Sequence, residues 1–167
     1  MPMVPTTLLS AIITVLAVLM LFYTSVPVGR ARGKHGIKAP AMTGHEDLER
    51  AVRVHMNTLE QFAIFLPLLW VATVYFTLIG WLVPAIGLVW IVGRFIYMQA
   101  YLADPAKRST GFSITILASA ALLILSVIGV VMALMTVTAA YDFRFFTIAS
   151  IATRSESSAG TVLMSSM

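Results

Sequence analysis

From Phe112 to Ala140 the chain carries no ionisable side chain at all. A helix rises ~1.5 Å per residue, so about 20 apolar residues cross the hydrocarbon of a bilayer, and this run reads as a membrane span. Three more segments have the length and character of spans: Thr6 to Val26, bounded by Pro5 and Pro27, then residues 48–76, then 84–103. With 112–140 they nearly exhaust the 167 residues, of which 59% are apolar and 11% charged; soluble domains have roughly half and one-quarter. The expected fold is an all-α integral membrane protein, a bundle of four transmembrane helices over residues 1–141. No Lys or Arg precedes the first apolar run, which is also longer than the core of a usual signal peptide, so it is read as a retained span. In the tail, 142–167, Phe143, Phe145 and Phe146 are expected at the interface and the Ser-rich end partly disordered.

Several function classes drop away on residue content. The sequence has no cysteine, which excludes disulfides, a thiol nucleophile and cysteine-held metal or iron-sulfur sites. His35, His45 and His55 lack paired metal-ligand spacing and no Gly-rich phosphate loop follows a strand signal, so no metal and no nucleotide is expected. The net charge of +4 does not point to nucleic acid, because the basic residues flank apolar spans, where they set topology. Residues 29–45 read as a Gly-rich loop with Arg30, Arg32, Lys34 and Lys38; residues 104–111 form a second connection with Lys107 and Arg108. Both are expected on the cytoplasmic side and both termini opposite, in a bacterial inner membrane or, in a eukaryote, the endoplasmic reticulum.

The second span opens with a dense polar segment, Glu49-Arg-Ala-Val-Arg53-Val-His55-Met-Asn57-Thr-Leu-Glu60-Gln61. Its helix is expected to begin near Glu46 or Asp47, whose charges suit an N-terminus, and to bend near Pro67. At 100° per residue Arg53, Asn57 and Glu60 fall on one stripe, which Arg50 extends backward, and Arg53 to Glu60 spans ~10 Å along the axis. That length suits an elongated, peptide-like ligand. His55 points the other way, toward another helix or another subunit. In the third span Arg94, Tyr97 and Tyr101 make a similar stripe; Pro105 breaks the helix and leaves Arg108 on a loop or at the start of helix four. Arginines and tyrosines at span ends also serve as interfacial anchors. Asn57 and Glu60 do not fit that role, because they lie inside the span and make poor anchors; ionisable groups there mark function by default. A proton-coupled transporter would place its carboxylate nearer the midplane than Glu60.

Glu49-Arg50-x-x-Arg53-x-His55-x-Asn57-x-x-Glu60, Leu66-Pro67-Leu68, Gly93-Arg94-x-x-Tyr97-x-Gln99-x-Tyr101 and Pro105-x-x-Arg108-x-x-Gly111-Phe112 together resemble the membrane-associated proteins in eicosanoid and glutathione metabolism, the MAPEG family, from about Val4 to Ala140. The resemblance implies a homotrimer that binds glutathione as cosubstrate at subunit interfaces near the cytosolic face. It implies glutathione contacts from Arg53, Asn57, Glu60, Tyr97 and Tyr101, with Arg32 and His55 supplied by a neighbouring subunit, and thiolate stabilisation by Arg108. The implied activity is that of a glutathione S-transferase of the microsomal type, with peroxidase activity, acting on hydrophobic electrophiles or lipid hydroperoxides. The alternative is a non-catalytic member that binds lipid and glutathione. The sequence departs from the leukotriene-forming branch at Gln61, where that branch has a tyrosine, and over residues 32–40 it is closer to bacterial members.

Overall fold

The computed structural model describes residues 5–165, without the side chains of residue 142 and residues 144–165. Four helices follow one another: α1 (Thr6–His35), α2 (Glu46–Tyr75), α3 (Leu82–Ala103) and α4 (Ser109–Ser165), with a 3₁₀ turn over Pro105–Arg108 between the last two. Each is long and apolar enough to cross a membrane, and the described residues contain no strand. The bundle itself comprises residues up to Val130; residues from Val131 on form a second unit, the helical continuation of α4, with Leu134, Met135, Val137 and Tyr141 exposed.

The first three helices bury one narrow stripe each. On α1 it is Ser10, Ile13, Ala17, Met20, Thr24 and Ala31; on α3 it includes Val83, Gly87, Trp90, Arg94, Tyr97 and Tyr101. From Ser10 to Thr24 and along α3 these spacings alternate between three and four residues, and Ala31 follows one heptad after Thr24, the 3.5 average of left-handed helix packing. The outward faces are as apolar as the inward ones: Leu8, Val15, Leu19 and Phe22 on α1 are exposed, as lipid allows. Phe65 of α2 stacks on Trp90 of α3 with ring centroids 4.1 Å apart. Polar side chains join the helices where the stripes meet. Ser10 Oγ lies 2.7 Å from Thr73 Oγ1, and Ser126 Oγ of α4 donates to the Leu68 carbonyl at 3.1 Å.

Two helix ends differ from the sequence expectation. The loop expected over 29–45 is helical to His35, with Pro27 inside α1, so Arg30, Arg32 and Lys34 occupy its last turns. Proline removes one N–H, and membrane helices tolerate that loss because neighbours satisfy the freed carbonyl. Gly36 ends α1 instead: at φ 64° it takes the left-handed conformation and donates its N–H to the Arg32 carbonyl. The fourth helix does not stop near Ala140 but continues to Ser165, since no proline follows Pro105 to end it. The expected interfacial and disordered tail falls largely outside the described residues, because its side chains and residues 166 and 167 are not among them. The middle helices run over Glu46–Tyr75 and Leu82–Ala103, α2 continuing as helix through Pro67.

A polar clasp joins α1 to α2 at the ends of the spans. His45 caps α2, its Nδ1 accepting from the Asp47 N–H at 3.1 Å, and its ring stacks on His35 at 3.5 Å. Asp47 Oδ2 accepts from both Lys34 Nζ and His35 Nε2 at 2.9 Å. Arg50 pairs with Glu46 one turn along. The Lys34 ammonium, and next the His35 imidazole, hold the Asp47 carboxyl at about 2, below its ordinary 3.8. A carboxyl depressed on folding contributes stability above its unfolded value and loses it as pH falls through the folded one. Asp47→Asn is therefore expected to melt below wild type in detergent at pH above 3.8, with the gap closing between 3.8 and about 2; a gap that is constant with pH would show that Asp47 contributes by other means.

Candidate functional site

At the same end of the bundle, α2, α3 and the start of α4 border a half-open cavity of about 510 Å³ lined by Arg53, Asn57, Tyr97, Tyr101, Arg108, Ser109, Phe112 and Ser113. Helical spacing puts Arg53 and Asn57 on one wall and Tyr97 and Tyr101 on the facing one. The break at Asp104 makes the third wall. Its backbone is extended at φ −156°, as the following Pro105 favours, and its Oδ1 accepts from the Ala106 N–H at 2.9 Å. The chain thereby turns through the 3₁₀ segment and presents Arg108, whose guanidinium lies 5.7 Å from the Tyr101 ring centroid.

Close approach of α3 and α4 sets the depth of the cavity. A Cβ added to Gly111 would lie 2.3 Å from the Tyr97 backbone nitrogen and 2.6 Å from its Cα, and one on Gly93 would meet Ile114 at 2.8 Å. Only glycine lets these backbones touch, as small residues do generally between membrane helices. Ser109, Phe112 and Ser113 reach the cavity because Gly111, on the opposite face of that turn, seats α4 against Tyr97.

Beside the cavity a groove of about 380 Å³ is lined by Met42, Thr43, Glu49, Val52, Arg53, Met56 and Glu60. Arg53 borders both. Glu60 belongs to the groove wall, yet Asn57 Nδ2 donates to its Oε2 at 3.4 Å, across from one space to the other. Among the described residues no ion pair engages Arg53, Glu60 or Arg108.

Two expected site residues lie elsewhere. Arg32, on α1, lines neither space and its Nη1 is buried without a partner. His55 faces α1, one of the two directions expected: its Nδ1 lies 2.9 Å from Thr24 Oγ1. The Thr24 hydroxyl donates to the Leu21 carbonyl at 2.6 Å, so it accepts from His55 and fixes the imidazole proton on Nδ1. Nε2 is left for another partner on a shallow surface lined by Leu21, Phe22, Ser25 and His55. Ser109 and Ser113 were not singled out in the sequence, although they stand one turn apart directly after Arg108, and Phe112 appeared only as the end of the motif that begins at Pro105. Arg94 was seen on the stripe of α3 but given no role.

A family model for the MAPEG family matches residues 10–128. The chain belongs to the MAPEG family. Among its relatives, an uncharacterised protein of Synechocystis sp. is 42% identical over 114 residues, covering 68% of this chain and 82% of the relative. Human microsomal glutathione S-transferase 2 is 34% identical over 123 residues, 74% of this chain and 82% of its own. Leukotriene C4 synthase of Cavia porcellus is 38% identical over 100 residues, 60% and 65% of the two chains. The matched region of this MAPEG protein contains every residue of the cavity.

Since the Gly111 contact is backbone against backbone, no side chain can swing aside for an added methyl. Gly111→Ala is expected to destabilise the protein by about 1–3 kcal/mol, as overpacking does, and to lower the thermal midpoint in detergent while leaving Gly29→Ala, with open space around its Cβ position, near wild type. Equal midpoints for the two variants would contradict this packing.

Proposed function

We propose that this protein is a membrane-bound glutathione transferase of the microsomal type, with peroxidase activity toward lipid hydroperoxides, and that glutathione occupies the cavity and adjoining groove. The observation that carries the reading is the set of charges left unpaired there: Arg53 and Arg108 at the cavity and Glu60 in the groove that Arg53 also borders. Glutathione presents the complementary set, two carboxylates and an ammonium on an extended peptide. Arginine matches a carboxylate with a planar fork of donors, Glu60 accepts from the ammonium, and the Asn57 NH₂ suits a peptide or carboxylate oxygen. The names of the relatives, glutathione S-transferase and leukotriene C4 synthase, support the same class.

In this reading Arg108 is the catalytic residue. A free thiol titrates near 8.5, so most of it is protonated at neutral pH, and each unit of depression takes ~1.4 kcal/mol of thiolate stabilisation. A guanidinium donating to sulfur in a partly dry cavity supplies such stabilisation. In transfer, the thiolate forms a carbon-sulfur bond while the bond to the leaving group breaks with its electron pair, and the thiol proton ends on the leaving group or in water. In peroxide reduction, the thiolate attacks the peroxide oxygen and the O–O bond breaks. The lipid oxygen takes a proton to become an alcohol, and the sulfenic acid condenses with a second glutathione to disulfide and water. Phe112, half in the cavity wall and on the helix facing lipid, suits an apolar second substrate arriving through the bilayer.

Two further elements belong to the proposal. Residues 36–45 and 104–111 face the cytoplasm, because Arg30, Arg32, Lys34, Lys38, Lys107 and Arg108 gather at that end. The active form is a homotrimer in which Arg32 and the free Nε2 of His55 complete a neighbouring subunit's site. Both are expected from cross-linking in detergent, which should give trimers, and from single cysteines introduced into this cysteine-free chain: Lys38→Cys labelled from the cytoplasmic side and Leu78→Cys from the opposite side. Dimers alone, or reversed labelling, would overturn these elements.

The chemistry is read by ultraviolet thiolate absorbance on adding glutathione to purified protein. Wild type should show it and Arg108→Ala should bind glutathione with most of that absorbance lost; Arg53→Ala and Glu60→Ala should each weaken binding about tenfold or more, as for charged hydrogen bonds. Binding by wild type without thiolate would favour the non-catalytic lipid- and glutathione-binding alternative. Unchanged affinity in the Arg53 and Glu60 variants would remove the assignment.

A further inference from the structure

Arg94 is a fully buried guanidinium inside a membrane span, at 0% exposure, and it does not touch the cavity. Its Nη2 donates to Asn57 Oδ1 at 3.1 Å and to Thr58 Oγ1 at 2.8 Å. The Thr58 hydroxyl itself donates to the Val54 carbonyl at 2.7 Å, so toward Arg94 it can only accept. The guanidinium lies 4.2 Å from the centre of the Tyr97 ring, and its Nε and Nη1 are buried without a partner.

A stabilising ion buried in a membrane bundle would be paired and fully hydrogen-bonded. Arg94 has no ion pair among the described residues and two unused nitrogens, so its worth to the fold alone is small. Its partners are what distinguish it: Asn57 and Tyr97 are two of the cavity's walls.

We propose that Arg94 is the positioning residue of the cavity, fixing the amide of Asn57 with its carbonyl turned inward and its NH₂ turned to Glu60 and the ligand, and holding the Tyr97 ring from behind. The assignment rests on the glutathione reading for the identity of the ligand, but the orientation of the amide does not. Oδ1 accepts from the Arg94 cation; a flipped amide would set two donors against each other in a low-dielectric interior, where an unsatisfied polar group is costly. Asn57 therefore turns its NH₂, a donor, toward Glu60 and the ligand. Through that NH₂ it reaches Glu60 Oε2 at 3.4 Å, so a relay runs from Arg94 through Asn57 to Glu60. The relay selects a ligand with an oxygen at Asn57 and an ammonium at Glu60, and discriminates against one that lacks the ammonium.

Asn57 is the only asparagine in the sequence, so selective ¹⁵N-asparagine labelling yields a single side-chain NH₂ signal pair. The experiment compares wild type, Arg94→Met and Arg94→Lys in detergent, reading that pair without ligand and then KM and kcat for glutathione and its deaminated analogue. In ligand-free wild type the two amide protons should be well separated and slow to exchange. In Arg94→Met they should converge and exchange faster; KM for glutathione should rise about tenfold with kcat at saturation changed far less, and the preference over the deaminated analogue should shrink. Arg94→Lys, which keeps one charged donor, should fall between and supplies the comparison if the methionine variant does not fold. Unchanged amide signals in a folded Arg94 variant, with or without a change in KM, would overturn the proposal. Amide signals that respond to Arg94 in a protein that binds no glutathione would support the positioning role and overturn the glutathione reading instead.

Discussion

A leucine in a bilayer gains nothing by turning inward, because lipid tails are as apolar as a protein core, so inward faces in this bundle are selected by how closely backbones can approach and by which polar groups must meet. Gly111 allows α4 to touch α3 at Tyr97 while Gly93 makes room for the Ile114 side chain, and Ser10 against Thr73 joins α1 to α2 with one short hydrogen bond. The cavity depends on the first of these contacts. With α4 seated against Tyr97, Phe112 and the two serines beside it become a wall, and Arg108 is delivered over Tyr101 by a turn only four residues long. A wider spacing of α3 and α4 would carry Arg108 away from Tyr101 and take Ser109, Phe112 and Ser113 out of the wall.

The polar groups divide by depth. The clasp of Lys34, His35, His45 and Asp47 sits where the helices end and water can screen it, so its worth lies in fixing how α1 enters α2 more than in net energy. About three turns of α2 further in, beside Asn57 and Thr58, Arg94 carries its charge where screening is weak, and each hydrogen bond there fixes geometry more firmly. The result is a graded end of the bundle: an exposed clasp, a cavity of open charges, then a buried cation behind its walls.

The number of helices was legible because breaks interrupt the apolar runs at intervals near a bilayer's thickness, charged ones at residues 29–45 and 104–111 and an uncharged one with Gly80 and Pro84 between the second and third spans; the stripe of Arg53, Asn57 and Glu60 was legible because such residues are costly inside a span. Their facing of Tyr97 and Tyr101 followed from placing both polar ends on one side. Other features were hidden for physical reasons. Pro27 marks a helix end in water, whereas α1 runs through it to Gly36, since membrane bundles tolerate the lost hydrogen bond. The inward face of α1 leaves no trace in apolarity, only in the small residues Ser10, Ala17 and Ala31 at its seam. Arg94 looked like an anchor because arginines near span ends usually reach outward to headgroups. Its inward direction is set by the run Gly87, Trp90, Arg94, Tyr97 and Tyr101, and a single sequence does not weigh that run against the outward face.

What separates the cavity from the rest of the molecule is incompleteness of charge. Among the described residues, ion pairs form elsewhere at Asp47 with Lys34, Glu46 with Arg50 and Asp104 with Lys107. Around the cavity Arg53, Arg108 and Glu60 are near enough to border joined spaces, yet the helices hold them apart. Arg53 and Glu60 are seven residues along one face, and the amide of Asn57 between them is turned by Arg94 so that it reinforces Glu60 without neutralising either charge. Left alone, such groups would relax toward one another. Holding them open on rigid helices means that a ligand bringing two carboxylates and an ammonium meets fixed partners and spends little of its binding energy on arranging them.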